Sequence, residues 1–270
     1  MVQIKNILSW LDTHAPFKYA ESWDQCGLQV GDPEAVVERI LVALDPSSES
    51  IKEAEELDCQ CLVSHHPLIF RPVTAVRFDQ FPGNLIARAL LKGIHLIAAH
   101  TNLDSAREGT NGQLSRLLNL GALEPLEVEA AWRDESCYGG MGRLGLLPHP
   151  ISLANLVKDM RGALGDIPIR VVGNAEKKVH RVAVCTGSGG SLIERVIRSG
   201  ADVYVTGDLK YHEAQRATEA NLALMDIGHF ASERLVVQPL ADYLCARAVE
   251  EKHRLEVFAS RSERDPFWIA

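Results

Sequence analysis

The feature that most constrains this chain is Val63-Ser64-His65-His66-Pro67, where an apolar run stops abruptly at two adjacent histidines and a proline. Residues 58–63 alternate and then turn apolar, the pattern of a short strand entering a buried sheet. Pro67 lacks a backbone donor and biases His66 toward an extended conformation, so the strand is predicted to stop here. In an open α/β sheet the C-terminal strand ends face the ligand crevice, which brings both imidazoles to it. Consecutive extended residues point their side chains to opposite sides. Two such neighbours chelate one ion poorly, yet each could serve one of two ions, so a metal site built on them is predicted to be dinuclear. The competing account is a pair of polar loop residues capping backbone groups.

The surrounding pattern is that of an α/β protein. After a helix over 4–11 and a turn-rich stretch from Glu21 to Asp32, a strand over 40–44, a helix over 47–56 and a strand over 61–64 make one βαβ unit, with Ser47 or Ser48 as N-cap. A helix over 84–92 then leads to a strand over 94–99 that runs into His100-Thr101-Asn102-Leu103-Asp104. Helix 111–120 follows, and the glycines and prolines of 123–150 suggest a change of domain or layer. Beyond it, a helix over 151–164 and a strand over 169–172 precede a second copy of the first pattern: strand 181–185, helix 191–199, strand 201–206. In that register Gly207-Asp208 stands where His65-His66 stood. Helix 211–220 and strand 222–227 then run into Gly228-His229-Phe230-Ala231-Ser232-Glu233.

Each half thus sends a strand into a histidine with a carboxylate four positions later, a spacing that brings both to one helical face. Two similar α/β halves, 1–125 and 126–270, are predicted to arise by internal duplication, with a metal site in the cleft between them. A long helix over 231–250, a last strand over 254–258 and an irregular tail over 262–270 complete the expectation.

Composition narrows the function classes. A formal net charge of −8 and a pI near 5.7 argue against a general nucleic-acid binder, a local basic pocket aside. The six cysteines (Cys26, Cys59, Cys61, Cys137, Cys185 and Cys245) contain no Cys-x-x-Cys pair and suggest reduced core residues. No apolar run reaches membrane-spanning length and Met1-Val2-Gln3-Ile4-Lys5 opens no signal-peptide core, so the expected location is the cytoplasm.

His65, His66, Asp104, His229 and Glu233 offer three imidazoles and two carboxylates without a thiolate, a set suited to two divalent ions of zinc, manganese or iron. Five protein ligands leave open positions on two ions, and a water shared between cations can ionise near neutral pH and act as a nucleophile. Glu233 is the expected bridge. His100 could ligate directly or act on Asp104 or a substrate from beside the metals. Tyr211 and His212 could transfer protons or touch phosphate, or merely start a helix behind an Asp208 N-cap. Thr186-Gly187-Ser188-Gly189-Gly190 could cradle an anion with backbone N–H groups or form a tight structural turn.

Ser64-His65-His66-Pro67-Leu68-Ile69-Phe70, His100-Thr101-Asn102-Leu103-Asp104, Gly207-Asp208-Leu209-Lys210-Tyr211-His212 and the Asp226 to Glu233 stretch, together with the loop Trp23-Asp24-x-x-Gly27-Leu28-Gln29-Val30-Gly31, resemble the signatures of the GTP cyclohydrolase I type 2 homologues. These are also called the NGG-one-interacting-factor-three-like proteins. The resemblance covers nearly the whole chain and implies a duplicated α/β fold, a homohexamer, and two metal ions on the same five residues. The chain resembles the shorter members, without room for an extra inserted domain, and departs from the usual pattern at Gln25-Cys26. The implied function is metal-dependent hydrolysis of a nucleotide-like or phosphoester small molecule, with His212 or His100 as proton donor. The alternatives are a non-catalytic metal-binding or metal-delivery protein and an oligomeric scaffold.

Overall fold

The computed structural model describes residues 1–128, 139–165 and 167–268. The chain opens with β1 (Val2–Gln3) and α1 (Ile4–His14), whose Ile4, Ile7, Trp10 and Leu11 are buried on one face. Strands β2 (Gly27–Val30), β3 (Val36–Val37) and β4 (Arg39–Ala43) follow, then α2 (Ser48–Glu56) and β5 (Cys61–Ser64). Helix α2 starts where Ser47 and Ser50 exchange side-chain and backbone hydrogen bonds, a reciprocal cap that satisfies two otherwise orphaned N–H groups. Next come α3 (Gly83–Lys92), β6 (His95–Ala98), α4 (Thr101–Ser105) and α5 (Thr110–Leu117). The chain continues through β7 (Gly121–Glu127), β8 (Met141–Ser152), α6 (Leu153–Leu164), β9 (Arg170–Val172) and β10 (Lys178–Ser188). It ends with α7 (Ile193–Ser199), β11 (Val203–Gly207), α8 (Tyr211–Glu219), β12 (Ala223–Asp226), α9 (His229–Glu233), α10 (Val237–Glu250) and β13 (Glu256–Ala259).

These elements form two compact units. The first comprises Met1–Leu103 with Val236–Arg264 and is built on a five-stranded sheet ordered β13-β4-β5-β6-β2, with the first four strands parallel and β2 antiparallel to β6. All of β5 and Ile40 to Ala43 of β4 are buried, which is why those segments are continuous apolar runs rather than alternating ones. Ile51 and Ala54 of α2 and Leu85, Ile86 and Ala89 of α3 pack with this sheet.

The second unit comprises Asp104–Leu235 with Asp265–Ala270. Its six-stranded sheet is ordered β7-β8-β10-β11-β12-β9, with β10, β11 and β12 parallel and the rest antiparallel. Alternate residues of β10 serve opposite faces: Val182 and Val184 join the core around Leu156 and Met160, and Ala183 and Cys185 join the one around Ile193 and Val196.

The predicted repeat is visible in the element order, since β4-α2-β5-α3-β6-α4 and β10-α7-β11-α8-β12-α9 run alike. The compact units are drawn differently from halves meeting at residue 125, because β13 returns to pair with β4 and carries α10 with it.

Two local expectations are corrected. The helix over 231–250 is broken: α9 ends at Glu233, a 3₁₀ turn spans Arg234–Val236, and α10 begins at Val237. Pro239 has no N–H for the carbonyl four residues back and its ring crowds that carbonyl, so a continuous α-helix cannot pass. The stretch over 123–150 contains most of the long strands β7 and β8, which its glycines and prolines obscure. The tail over 262–268 is irregular, as expected, and it is anchored: the Glu263 carboxylate, 6% exposed, accepts hydrogen bonds from the Leu44 N–H at 2.8 Å and the Asp45 N–H at 2.7 Å.

Candidate metal centre

In the first unit, β5 ends at Ser64, and His65 and His66 lie in the bend beyond it. The rings do not take opposite sides as a continuing strand would require. Their centroids are 4.9 Å apart, and His100 stands 5.2 Å and 5.4 Å from them. Each of the three rings offers a nitrogen within 4.8 Å of the other two.

Every one of these rings is held by Nδ1. His65 Nδ1 donates to the Ala99 carbonyl at 2.9 Å, His66 Nδ1 to Asp45 Oδ1 at 2.8 Å, and His100 Nδ1 to Asp24 Oδ1 at 2.9 Å. In a neutral imidazole a proton on Nδ1 puts the lone pair on Nε2, the atom that then suits a metal. Asp24 is itself well anchored, with Oδ2 accepting from the Thr101 N–H at 3.0 Å and the Thr101 hydroxyl at 2.5 Å. Burial raises its carboxyl, but the His100 hydrogen bond and charge and the Thr101 hydroxyl outweigh that and hold it well below the ordinary carboxylate range.

The second unit repeats the device. His229 opens α9 straight after β12, its Nδ1 donating to Asp208 Oδ2 at 2.8 Å. One helical turn on, Glu233 places Oε2 3.0 Å from His229 Nε2, as the i, i+4 spacing predicts. Asp208 therefore serves as orienter of His229, and Lys210 takes the N-cap position of α8. Asp104 Oδ1 accepts from the Thr110 hydroxyl, which in turn accepts from Thr186 Oγ1 at 2.8 Å. Asn111 braces the same segment, donating to the Asp104 carbonyl at 3.0 Å and accepting from the Thr186 N–H at 2.9 Å. Fully buried Arg143 donates to the carbonyls of Gly140, Gly142, Ser105 and Ala106, fixing the backbone just beyond Asp104. His65, Asp104 and Glu233 are 1%, 7% and 3% exposed, so the carboxylates sit where a charge without compensation would be costly.

The glycine turn at the end of β10 is structural. Gly187 N–H donates to Ser232 Oγ at 2.9 Å and Gly189 N–H to Thr206 Oγ1 at 3.0 Å, so these amides already have protein acceptors. A Cβ on Gly187 would lie 2.2 Å from Glu233 Oε1. The glycine is thus what lets the turn approach that carboxylate.

His212 stands apart in the first turn of α8, exposed, with Nδ1 bonded to Gln215 Oε1 at 3.0 Å. Among the described residues it joins no cluster of possible metal ligands. The described cysteines are all free, and burial pushes the Cys185 thiol up to about 12; Cys137 lies outside the described residues. The donor chemistry is therefore imidazole and carboxylate. Sequence reasoning missed the orienting roles of Asp24 and Asp45. The signal for Asp45 is its place just past the end of β4, beside the strand that leads into His65 and His66.

Residues 2–266 match the family model described as Duf34/NIF3 (NGG1p interacting factor 3). A protein of Streptomyces coelicolor named GTP cyclohydrolase 1 type 2 homolog is 35% identical over 277 residues, covering 100% of this chain and 95% of the relative. Among solved structures, a Staphylococcus aureus protein is similar with a TM-score of 0.91 and 30% identity, covering 100% of this chain and 99% of its own. A Bacillus cereus protein related to NIF3 also has a TM-score of 0.91, with 25% identity and the same coverages.

Proposed function

Because the chain belongs to the Duf34/NIF3 family, we propose that it is a metal-dependent hydrolase in which His65, His66, Asp104, His229 and Glu233 hold two divalent ions of zinc, manganese or iron. The substrate is a small nucleotide-like or phosphoester molecule, as the name of the Streptomyces coelicolor relative suggests. The observation that carries this reading is the shared Nδ1 anchoring of His65, His66 and His229, each ring bonded to a carbonyl or carboxylate so that Nε2 presents the lone pair. Divalent ions on such donors supply Lewis acidity toward a phosphoryl or carbonyl oxygen and make water a nucleophile near neutral pH.

The chain's own groups supply the rest. Thr110 fixes the Asp104 carboxylate, Asp208 sets the His229 ring, and Asp24 sets His100 beside His65 and His66, where it can exchange a proton with substrate through Nε2. His212 is the second proton-transfer candidate, with Nδ1 on Gln215. The enzyme is further proposed to act as a cytoplasmic homohexamer. The test is elemental analysis of the purified protein followed by turnover on a panel of nucleotides and phosphoesters. Two ions per chain and loss of turnover in Glu233→Gln, with fold and assembly retained, are expected. A chain without bound metal, or Glu233→Gln with parental turnover, overturns the proposal.

A further inference from the structure

Phe70 takes part in two features of the first unit. It meets Trp23 at 5.7 Å between ring centroids, and the Phe70 and Trp23 rings lie 6.4 Å and 6.2 Å from His100. Trp23 is 53% exposed and Phe70 46%, yet the residue beside each is tied down. Next to Trp23, Asp24 is bonded to His100 and Thr101; next to Phe70, the Ile69 N–H donates to Gln29 Oε1 at 2.9 Å. Two large aromatic faces are thus held open to solvent beside a histidine of the candidate centre.

Phe70 also walls a cavity of about 430 Å³ formed by residues between 68 and 83. Leu68, Val73 and Phe81 make apolar wall, and Arg71, Thr74 and Gln80 the polar part. Arg77 is already forked onto Asp79 at 3.0 Å and 2.7 Å, whereas Arg71 is exposed and takes no hydrogen-bond or ion-pair partner among the described residues. The far wall is closed by a close backbone approach: a Cβ on Gly83 would lie 2.4 Å from the Arg77 carbonyl oxygen. The volume falls in the range of small-molecule sites, roughly 300–1,000 Å³.

Apolar faces of this kind take a flat ring, and an unengaged guanidinium beside them takes an anion, phosphate above all. We propose that Trp23, Phe70 and the 68–83 cavity form the substrate-recognition subsite, with a heteroaromatic ring against Phe70 and Trp23 and its phosphate on Arg71. The substrate class is then a nucleoside monophosphate or a similar aromatic phosphate, an assignment that rests on the metal-hydrolase reading and narrows it.

The test is calorimetric binding of GMP and of guanosine to the metal-loaded full-length protein, with metal content measured on every sample. GMP is expected to bind more tightly than guanosine. Arg71→Gln should weaken GMP by about tenfold, the scale of one charge-assisted hydrogen bond, and leave guanosine unchanged. Phe70→Leu should weaken both ligands. Equal GMP affinity in Arg71→Gln and parent, or a metal-replete parent that binds neither ligand, overturns the subsite and leaves the metal reading intact. A parent that holds no metal but still binds GMP through Arg71 overturns the metal reading instead.

Discussion

Gly187→Ala is a sharp probe of the candidate centre because it alters no proposed ligand. Gly187 has φ of +67° and stands against the Glu233 carboxylate, where a Cβ would come within 2.2 Å of Oε1 and 3.3 Å of His229 Nε2. Ordinary contact starts at 3.4 Å, so the carboxylate must withdraw by about 1 Å. A ligand constellation tolerates displacements of roughly 0.5 Å, and disturbing the groups that position ligands typically costs about 10–100-fold in metal affinity.

The left-handed backbone adds a stability cost of ~1–2 kcal/mol for an L-residue. Gly200→Ala separates the two effects, since Gly200 has φ of +70° in the same unit and a Cβ there meets nothing within 4 Å. Zinc affinity by chelator competition and unfolding by circular dichroism, on both variants and parent, complete the design. Both variants should lose similar stability, and Gly187→Ala alone should lose zinc affinity by about 10-fold or more. If a folded Gly187→Ala binds zinc as Gly200→Ala does, the Glu233 carboxylate is not a ligand.

Other outcomes follow from the same contacts. Arg143→Met strips the donor from four buried carbonyls and should lower stability by ~3–5 kcal/mol in denaturant unfolding; a loss below ~1 kcal/mol contradicts the staple role. Glu53 ties α2 to the stretch after β13: burial raises its carboxyl, but hydrogen bonds from the Ser260 hydroxyl, the Arg261 N–H and Ser262 outweigh this and lower it from the ordinary 4.5. A carboxyl lowered in the folded state adds stability above its ordinary value and loses it as pH falls through the native one. Glu53→Gln should therefore flatten the acid side of the stability profile, and an unchanged profile counts against the tether. With a thiol reagent Cys245, which is exposed, should react first among the described cysteines, while burial holds the Cys59 thiol up at about 12 and keeps it slow.

The strands that deliver the site were legible because β4, β5 and β11 are buried on both faces and so appear as uninterrupted apolar runs ending in polar residues. Spacing alone also anticipated the Glu233 contact with His229, since four residues make one helical turn. The geometry of His65 and His66 was not legible. The alternation rule holds for a strand, and the strand ends at Ser64, before either histidine.

The orienting aspartates show why the remainder escaped. Ala43 of β4 pairs with Ser64 of β5, an offset of 21, and the same offset carries Asp45 to His66. Thr206 of β11 pairs with Asp226 of β12, and the residues just beyond, Asp208 and His229, meet in the same way. An aspartate past one parallel strand thus holds the histidine past the next. That pairing follows from register, and parallel register is set by how the crossover helix packs back on the sheet rather than by any pattern within the strands. Once the nine residues of α2 are known to span β4 to β5, Asp45 becomes the predictable partner of His66. Asp24 admits no such derivation. It reaches His100 from a loop before β2, and β2 joins β6 with a shift in register between Leu28 and Val30 that no periodicity anticipates.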